Sequence, residues 1–181
     1  MKRCFWCNEN NPLYVKYHDE EWGKARFDDK YLFEMLVLEG FQAGLSWECV
    51  LNKRDAFRNA FDGFDYKKIA GYSDEFVDRL MQNKSIIRNR LKIKAAITNA
   101  KVFINIVEET GCFLNYLKLF WDGKTIFENN CTTSKLSDEI SKDLQRRGMK
   151  FVGSTIIYSY LQAVGIINSH DDECFLYKKQ L

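Results

Sequence analysis

The two histidines are the first residues to consider, because each lies near a cysteine and the two residue types together can bind a metal ion. Cys4 precedes His18, and His170 precedes Cys174. Two imidazoles and two thiolates make a closed tetrahedral zinc set. If the last pair lies on a helix, its side chains share one face, since positions four apart are neighbours. The residue types therefore suggest a metal site that ties distant parts of the chain together, although the long gap between the two pairs departs from compact zinc-finger spacing.

Other roles for these residues are open at this point. From periodicity alone, a capping histidine and buried thiols are the simpler explanation. Cys7, in Cys4-x-x-Cys7, is a rival ligand that could replace Cys174 or form a redox pair with Cys4, although no strand–helix thioredoxin pattern surrounds them. The first residues lack the apolar core of a secretory signal, which predicts a reducing, cytoplasmic location in which the six cysteines are thiols.

A second group of candidates is Glu39 with a cluster of aromatic residues. This glutamate ends an almost wholly apolar helical segment, so its carboxylate must be paired, protonated or facing a cavity, because an unpaired buried charge is costly. An acid among aromatic rings can hold a flat, nitrogen-rich ring by stacking and by a hydrogen bond at the ring edge. A structural Glu39, paired with an arginine or a backbone amide, is the alternative. The aromatic residues are Trp6, Tyr14, Tyr17, Trp22 and Trp47.

Positive charge is concentrated in one stretch, although the whole chain has a formal charge of only +2. Between Arg79 and Val107 there are seven Lys and Arg residues and no Asp or Glu. The stretch contains a short break at 83–87. A helix–hairpin–helix there would present helix N-terminal amides and cations to phosphates, and so bind a nucleic-acid backbone without sequence preference. A solvated basic helix face is the alternative.

The elements that must position these residues are predicted to be helices. Helical periodicity dominates, and the 181 residues, 46% hydrophobic with one proline, predict an all-α single domain over 1–181. The uncharged stretch 151–170 approaches the length of a membrane span, but its six Ser, Thr, Gln and Asn residues favour a core helix. The predicted helices cover residues 31–38, 47–61, 74–82, 87–107, 113–121, 137–147 and 154–167.

Four segments, in order along the chain, resemble the 3-methyladenine DNA glycosylase I family. The resemblance extends over nearly the whole chain, from Cys4 to Cys174. The segments are YHDEEWG at 17–23, LEGFQAGLSW at 38–47, IIRNR at 86–90 and GMKFVG at 148–153. The resemblance implies a helix–hairpin–helix DNA glycosylase fold, with the hairpin near 76–107 and a zinc site that joins segments 4–18 and 170–174.

The same resemblance implies roles for individual residues. Glu39 would hydrogen-bond the extruded methylated adenine, Trp47 would stack on it, and Leu45 would act as a wedge in the base stack. The implied pocket wall consists of Tyr17, Trp6, Tyr14 and Trp22. The implied zinc ligands are Cys4, His18, His170 and Cys174, with Cys7 outside the set. The implied DNA contacts of the hairpin come from Lys84, Ser85, Ile86 and Arg88.

This chain departs from the family pattern at two positions. Family members usually place glycine in the hairpin, where this chain has Lys84 and Ser85 before Ile86. A left-handed backbone at Ser85 would be strained, since glycine accepts that conformation more readily. Phe41 stands where the family commonly has a polar residue.

The expected function is that of an enzyme. It would flip an alkylated purine out of double-stranded DNA and hydrolyse its N-glycosidic bond, leaving an abasic site, with a structural zinc ion, no organic cofactor and no membrane partner. Related hairpin glycosylases carry an aspartate shortly beyond the hairpin; here the acid-free stretch continues to Val107, which argues against an aspartate-assisted or lysine Schiff-base mechanism. The alternative is a non-enzymatic, zinc-stabilised DNA-binding module that uses the same hairpin.

Overall fold

The computed structural model describes residues 1–177, and helices form most of this range. The helices are α1 (Pro12–Glu20), α2 (Asp29–Gln42), α3 (Trp47–Leu51), α4 (Arg54–Ala60), α5 (Tyr66–Ile69), α6 (Asp74–Gln82), α7 (Arg90–Thr110), α8 (Phe113–Leu117), α9 (Lys135–Arg146) and α10 (Ser154–Ala163). Two short strands, β1 (Ile126–Phe127) and β2 (Ile167–Asn168), pair in parallel. The mainly helical architecture expected from the sequence is confirmed.

Helix α2 lies at the centre of the fold. Asp28 caps it by accepting a hydrogen bond from the Tyr31 amide at 3.0 Å, as short acidic residues commonly do at helix starts. Residues 31–41 are all buried, because α2 is packed between α3, α7, α8 and α10. The nearly continuous apolar sequence of this helix follows from contact on all sides.

Several helices differ in extent from the sequence prediction. The segment 47–61 divides into α3 and α4 at Asn52 and Lys53. Helix α8 is shorter than predicted, and α1 was not predicted at all. The segment 154–167 leaves the helix at Ala163, because Gly165 has a φ of +80° and a Cβ there would lie 2.2 Å from the Lys24 backbone. The chain then enters β2.

The basic stretch forms a helix–loop–helix, with α6 and α7 joined by residues 83–89. Ser73 caps α6, and Asn89 caps α7 by accepting from the Lys92 amide at 3.1 Å. Helix α7 therefore begins three residues later than predicted. Among residues 1–177, none of the helices combines the length and the apolar character that a membrane-spanning helix needs.

Candidate functional site

A cavity of about 470 Å³ lies between α1, α2, α3 and the segment that precedes α1. It is lined on one side by the residues that the sequence analysis grouped together: Trp6, Tyr14, Tyr17, Trp22, Glu39 and Trp47. Helix α1 supplies Tyr14 and Tyr17, and α2 supplies Glu39. Helix α3, capped by Ser46, begins at Trp47. All six predicted pocket residues therefore meet in one place.

Glu39 is the acid of this cavity. It is only 4% exposed, and no hydrogen bond or ion pair joins its carboxyl to another group among residues 1–177. Burial raises the pKa of Glu39 to about 8, since a charged carboxylate is poorly solvated there. The Glu39 carboxyl was expected to be paired, protonated or facing a cavity, and it is not paired in the described part of the chain. The carboxyl faces the cavity.

The aromatic walls of the cavity are packed on one another. The Trp6 ring lies 4.8 Å from the Trp22 ring and 5.3 Å from the Tyr14 ring, and Tyr17 lies 5.3 Å from Trp47. The indole Nε1 of Trp47 is buried and has no hydrogen-bond partner in the described residues. The cavity thus presents flat apolar faces and a carboxyl group, which suits a planar heteroaromatic ligand.

The other residues that line the cavity are mostly polar, and they were not predicted from the sequence. These residues come from segments that are far apart in the chain, so no spacing pattern connects them. They are Gln42, Asn130, Cys131, Thr132, Ser159, Gln162, Ser169 and Asp171. Phe5 also lines the cavity with its side chain 88% exposed, and its amide donates to Asp171 Oδ2 at 2.8 Å.

A second cavity, of about 510 Å³, lies on another side of Tyr17 and has charged walls. Its buried arginine is already paired: Arg54 donates to Glu34 at 2.6 Å and to Glu21 at 2.8 Å. Polar groups that satisfy one another are a common structural feature of protein interiors. The cavity at Glu39, where an acid has no partner, is therefore the better candidate for a ligand.

Cys4, His18, His170 and Cys174 form a buried cluster whose ligand atoms all lie within 4.8 Å of one another. Cys4 Sγ is 3.4 Å from His170 Nδ1, and Cys174 Sγ is 3.5 Å from His18 Nε2. Tetrahedral sites with zinc–nitrogen and zinc–sulfur bonds of about 2.0–2.3 Å require donor separations of this size. The four residues can therefore hold a metal ion, and Cys7 lies outside the cluster.

The surroundings of the cluster also suit a cation. His18 Nδ1 lies 2.7 Å from Asp19 Oδ1, and Arg3 holds the same carboxylate at 2.7 Å, an arrangement that orients a ligating imidazole. Burial lowers the pKa of His170 to about 4 and raises that of Cys4. The histidine is thus in its neutral, ligating form, while a buried thiolate needs a neighbouring positive charge. All six cysteines, Cys7 included, are free of disulfides.

The cluster is in direct contact with the cavity wall. The Trp6 ring lies 5.2 Å from the His18 ring, and the Trp22 ring lies 4.7 Å from the His170 ring. The aromatic residues of the wall therefore pack directly on two of the four cluster residues.

The predicted DNA-contacting residues differ in exposure. Lys84, Ser85 and Arg88 are exposed on the hairpin loop, but Ile86 is buried in the core, so its side chain is not available to DNA. Ser85 does not have the left-handed backbone that the sequence analysis expected, and its amide donates to Asn83 Oδ1 at 2.9 Å. Serine is therefore accommodated without strain. Leu45 is 43% exposed on the loop between α2 and α3.

The positive charge of the hairpin region is partly neutralised by α6. Arg90 pairs with Asp78 at 2.5 Å and Lys94 pairs with Asp74 at 2.8 Å. Lys84 and Arg88 have no ion pair among residues 1–177. The loop therefore keeps two cations that no carboxylate of the described residues neutralises.

Comparisons with known proteins give a consistent result. Residues 6–177 match the family described as methyladenine glycosylase. The DNA-3-methyladenine glycosylase 1 of Escherichia coli (strain K12) is 43% identical over 183 residues, covering 98% of this chain and 97% of that protein. The DNA-3-methyladenine glycosylase of Haemophilus influenzae is 39% identical over 178 residues, covering 95% of this chain and 96% of that protein.

Solved structures agree with these sequence matches. A crystal structure of a 3-methyladenine DNA glycosylase I superposes with a TM-score of 0.92 at 43% identity, covering 98% of this chain and 100% of the other. A single-residue variant of a 3-methyladenine DNA glycosylase I, crystallised in complex with 3-methyladenine, superposes with a TM-score of 0.93 at 32% identity, covering all of both chains.

Proposed function

This chain belongs to the methyladenine glycosylase family and excises 3-methyladenine from alkylated DNA, and on that premise we propose how its residues do so. The cavity at Glu39 receives the extruded base. The hairpin loop binds the DNA backbone, and a zinc ion at the cysteine–histidine cluster holds the cavity wall in place. The observation that carries this proposal is a buried carboxyl group, unpaired within the described residues, among packed aromatic rings.

Glu39 provides recognition of the lesion. Methylation at N3 makes adenine cationic while it is attached to deoxyribose, whereas normal adenine is neutral. A carboxylate in a poorly solvated cavity attracts a cation strongly, and stacking on Trp47 and Tyr17 adds a cation–π contribution. The cavity therefore selects the charged lesion nucleotide over the neutral one.

Cleavage needs little acid catalysis, because the positively charged base is already a good leaving group. Water attacks C1′ of the sugar, the bond from C1′ to the base nitrogen breaks, and the base leaves with the electron pair as neutral 3-methyladenine. The attacking water becomes the C1′ hydroxyl and releases its second proton to solvent. Positive charge spreads onto the sugar in the transition state, and the Glu39 carboxylate stabilises it electrostatically. Glu39 is the catalytic residue in this sense, without removing a proton from water.

The DNA substrate is double-stranded in this proposal. Lys84 and Arg88 neutralise phosphates, and the exposed Ser85 hydroxyl and amides of the loop add hydrogen bonds. The buried Ile86 supports the loop from within the core. Leu45 fills the gap in the base stack when the damaged nucleotide leaves it, as apolar wedge residues do in proteins that distort DNA.

Zinc is the metal that the four ligands suit best. Two cysteines and two histidines at tetrahedral separations are typical of structural zinc sites, which leave no open position for a substrate. The ion when bound supplies cross-linking between segments 4–18 and 170–174, and no chemistry on the base. We expect about one zinc per chain in protein purified without chelators, by metal analysis; protein that is folded and active without zinc would remove the ion from the proposal.

The cytoplasm is the location we propose, since the family acts on DNA and all six cysteines are free thiols. A reducing compartment maintains such thiols. It also keeps Cys4 and Cys174 available as ligands.

Release of the free base is the test of the function. The protein is incubated with methylated duplex DNA, and released bases are separated by chromatography. We expect 3-methyladenine and, in the DNA, abasic sites. Salt-sensitive DNA binding without any released base would favour the alternative of a non-enzymatic DNA-binding module.

A further inference from the structure

One buried charged side chain, Lys92 of α7, has no part in the mechanism above. It is 7% exposed, and no carboxylate pairs with it among residues 1–177. Instead its Nζ donates to the backbone carbonyl of Phe41 at 2.8 Å and to that of Ala43 at 2.6 Å. A buried ammonium group is costly unless hydrogen bonds compensate for lost water, so the two carbonyls determine where this side chain must lie.

The two carbonyls belong to the end of α2. The last carbonyls of a helix have no partner within the helix, and a positive charge near them is favourable. Lys92 therefore caps the C-terminus of α2 from another helix. Glu39 lies in the last turn of the capped helix, and the loop with Leu45 follows directly, beginning with Gly44 at a φ of +76°.

Lys92 also lies directly behind the hairpin. It is in the first turn of α7, and its amide donates to Oδ1 of Asn89, the residue that ends the hairpin loop. The backbone and side chain of Lys92 thus hold two loops at once. One is the loop of Lys84 and Arg88, and the other is the loop of Leu45.

We propose that Lys92 is a positioning residue that fixes the Leu45 loop relative to the DNA-bound hairpin, and that it acts in extrusion of the damaged nucleotide. The inference rests on the proposed function, because it takes Leu45 as the wedge and the hairpin as the phosphate-binding element. When the hairpin binds the backbone, the depth to which Leu45 enters the duplex depends on the link between the two loops. Without the Lys92 hydrogen bonds, the wedge is displaced while the cavity walls remain.

The test compares two DNA substrates that differ in the free energy needed to extrude the damaged nucleotide from the duplex. In one duplex the lesion is paired; in the other it faces an abasic site, where extrusion costs less because there is no pairing to break. For Lys92→Met we expect the single-turnover rate to fall about tenfold on the paired lesion and by less than about twofold on the unpaired one, with KM unchanged. Binding of free 3-methyladenine is expected to remain that of the wild type.

Matched controls separate this role from loss of fold. Lys94→Met removes a neighbouring lysine of α7 that pairs with Asp74 at the surface, and it should leave the ratio of the two rates unchanged. Lys92→Arg keeps donors for the carbonyls and should restore most of the lost rate. Lys92→Gln removes the positive charge and shortens the reach of the donor group by one atom. It replaces Lys92→Met in the comparison if thermal melting shows that the methionine variant is unfolded.

The rates on the two duplexes test the role of Lys92 and the proposed function separately. An equal fall on both substrates, or no fall on either, would overturn the role of Lys92 in extrusion. Wild-type protein that releases no base from either duplex would instead overturn the proposed function. In the Leu45→Ala background, Lys92→Met should have little further effect, and full additivity of the two substitutions would also contradict the proposal.

Discussion

Glu34 and Glu39 lie on the same helix and are buried almost equally, at 6% and 4% exposure, yet their surroundings are opposite. Glu34 accepts hydrogen bonds from Arg54 at 2.6 Å and from Arg58 at 2.9 Å. Glu39 has no such partner in the described residues, and burial raises its pKa to about 8. Burial of an acid therefore does not identify a functional residue. A buried acid that faces a cavity and has no hydrogen-bond or ion-pair partner in the described residues does.

Helical geometry explains how α2 serves both regions. Five residues turn a helix by about 140°, so the two carboxyl groups leave it in different directions. Glu34 meets the arginines of α4, and Glu39 meets the cavity formed by α1 and α3. One central helix thereby contributes Glu34 to an ion-pair network and Glu39, which has no partner in the described residues, to the cavity.

The largest effect is expected at Glu39. Glu39→Gln should slow excision about 100- to 1,000-fold, as removal of a group that stabilises developing charge commonly does, while stability stays equal or rises. Release of 3-methyladenine under single-turnover conditions and urea denaturation measure the two quantities. Full activity in this variant would exclude Glu39 from the role assigned to it.

Glu34→Gln should give the reverse outcome. Breaking a buried ion pair leaves Arg54 partly uncompensated, and we expect a loss of about 3 kcal/mol of unfolding free energy. Activity per folded molecule should stay within about threefold of the wild type, because Glu34 does not reach the cavity at Glu39. If Glu34→Gln impaired excision as strongly as Glu39→Gln and left stability unchanged, the distinction between the two acids would be wrong.

The pH dependence of catalysis is the next largest effect. With a pKa of about 8 in the empty cavity, Glu39 is about one-tenth ionised at pH 7 and about nine-tenths ionised at pH 9. Since the carboxylate is the active form, kcat/KM should rise about tenfold between these values. Glu39→Gln should lack this rise, and a wild-type profile that is flat over the same range would contradict the assignment.

The smallest effect is expected at the outer arginine. Arg58 is about 41% exposed in its side chain, and Arg54 still neutralises Glu34 when Arg58 is removed. Arg58→Ala should therefore cost no more than about 1 kcal/mol, less at high salt. A loss as large as that of Glu34→Gln would mean that the exposed arginine, and not the buried one, compensates Glu34.

The sequence was informative where one local pattern defined the environment of a residue. Glu39 could be singled out because it follows an apolar run, and the predicted helix starts at 47 and 74 are those of α3 and α6, which Ser46 and Ser73 cap. The pairing of Glu34 could not be predicted, because Arg54 lies twenty residues further on and only the packing of α4 on α2 brings the two together. The polar wall of the cavity was missed for the same reason.

Helix α1 shows a different limit. Its apolar spacing is weak, and no helix was predicted over these residues. A signal was nevertheless present, since Asn11 accepts from the Leu13 amide as an N-cap and Pro12 occupies the first helical position, which is the position that proline favours. The hairpin shows the opposite case. A left-handed backbone at Ser85 would be strained, yet the Asn83 side chain accepts from the Ser85 amide and the turn forms without a left-handed residue.

The position of the cysteine–histidine cluster along the chain has a consequence for biosynthesis. The ribosome adds His170 and Cys174 after every residue of the aromatic wall, yet Trp22 packs on His170 and Trp6 packs on His18. The aromatic wall therefore lacks some of the residues that hold it in place until translation has passed residue 174. A polypeptide terminated before residue 170 carries Glu39 but lacks His170, on which Trp22 of the cavity wall packs.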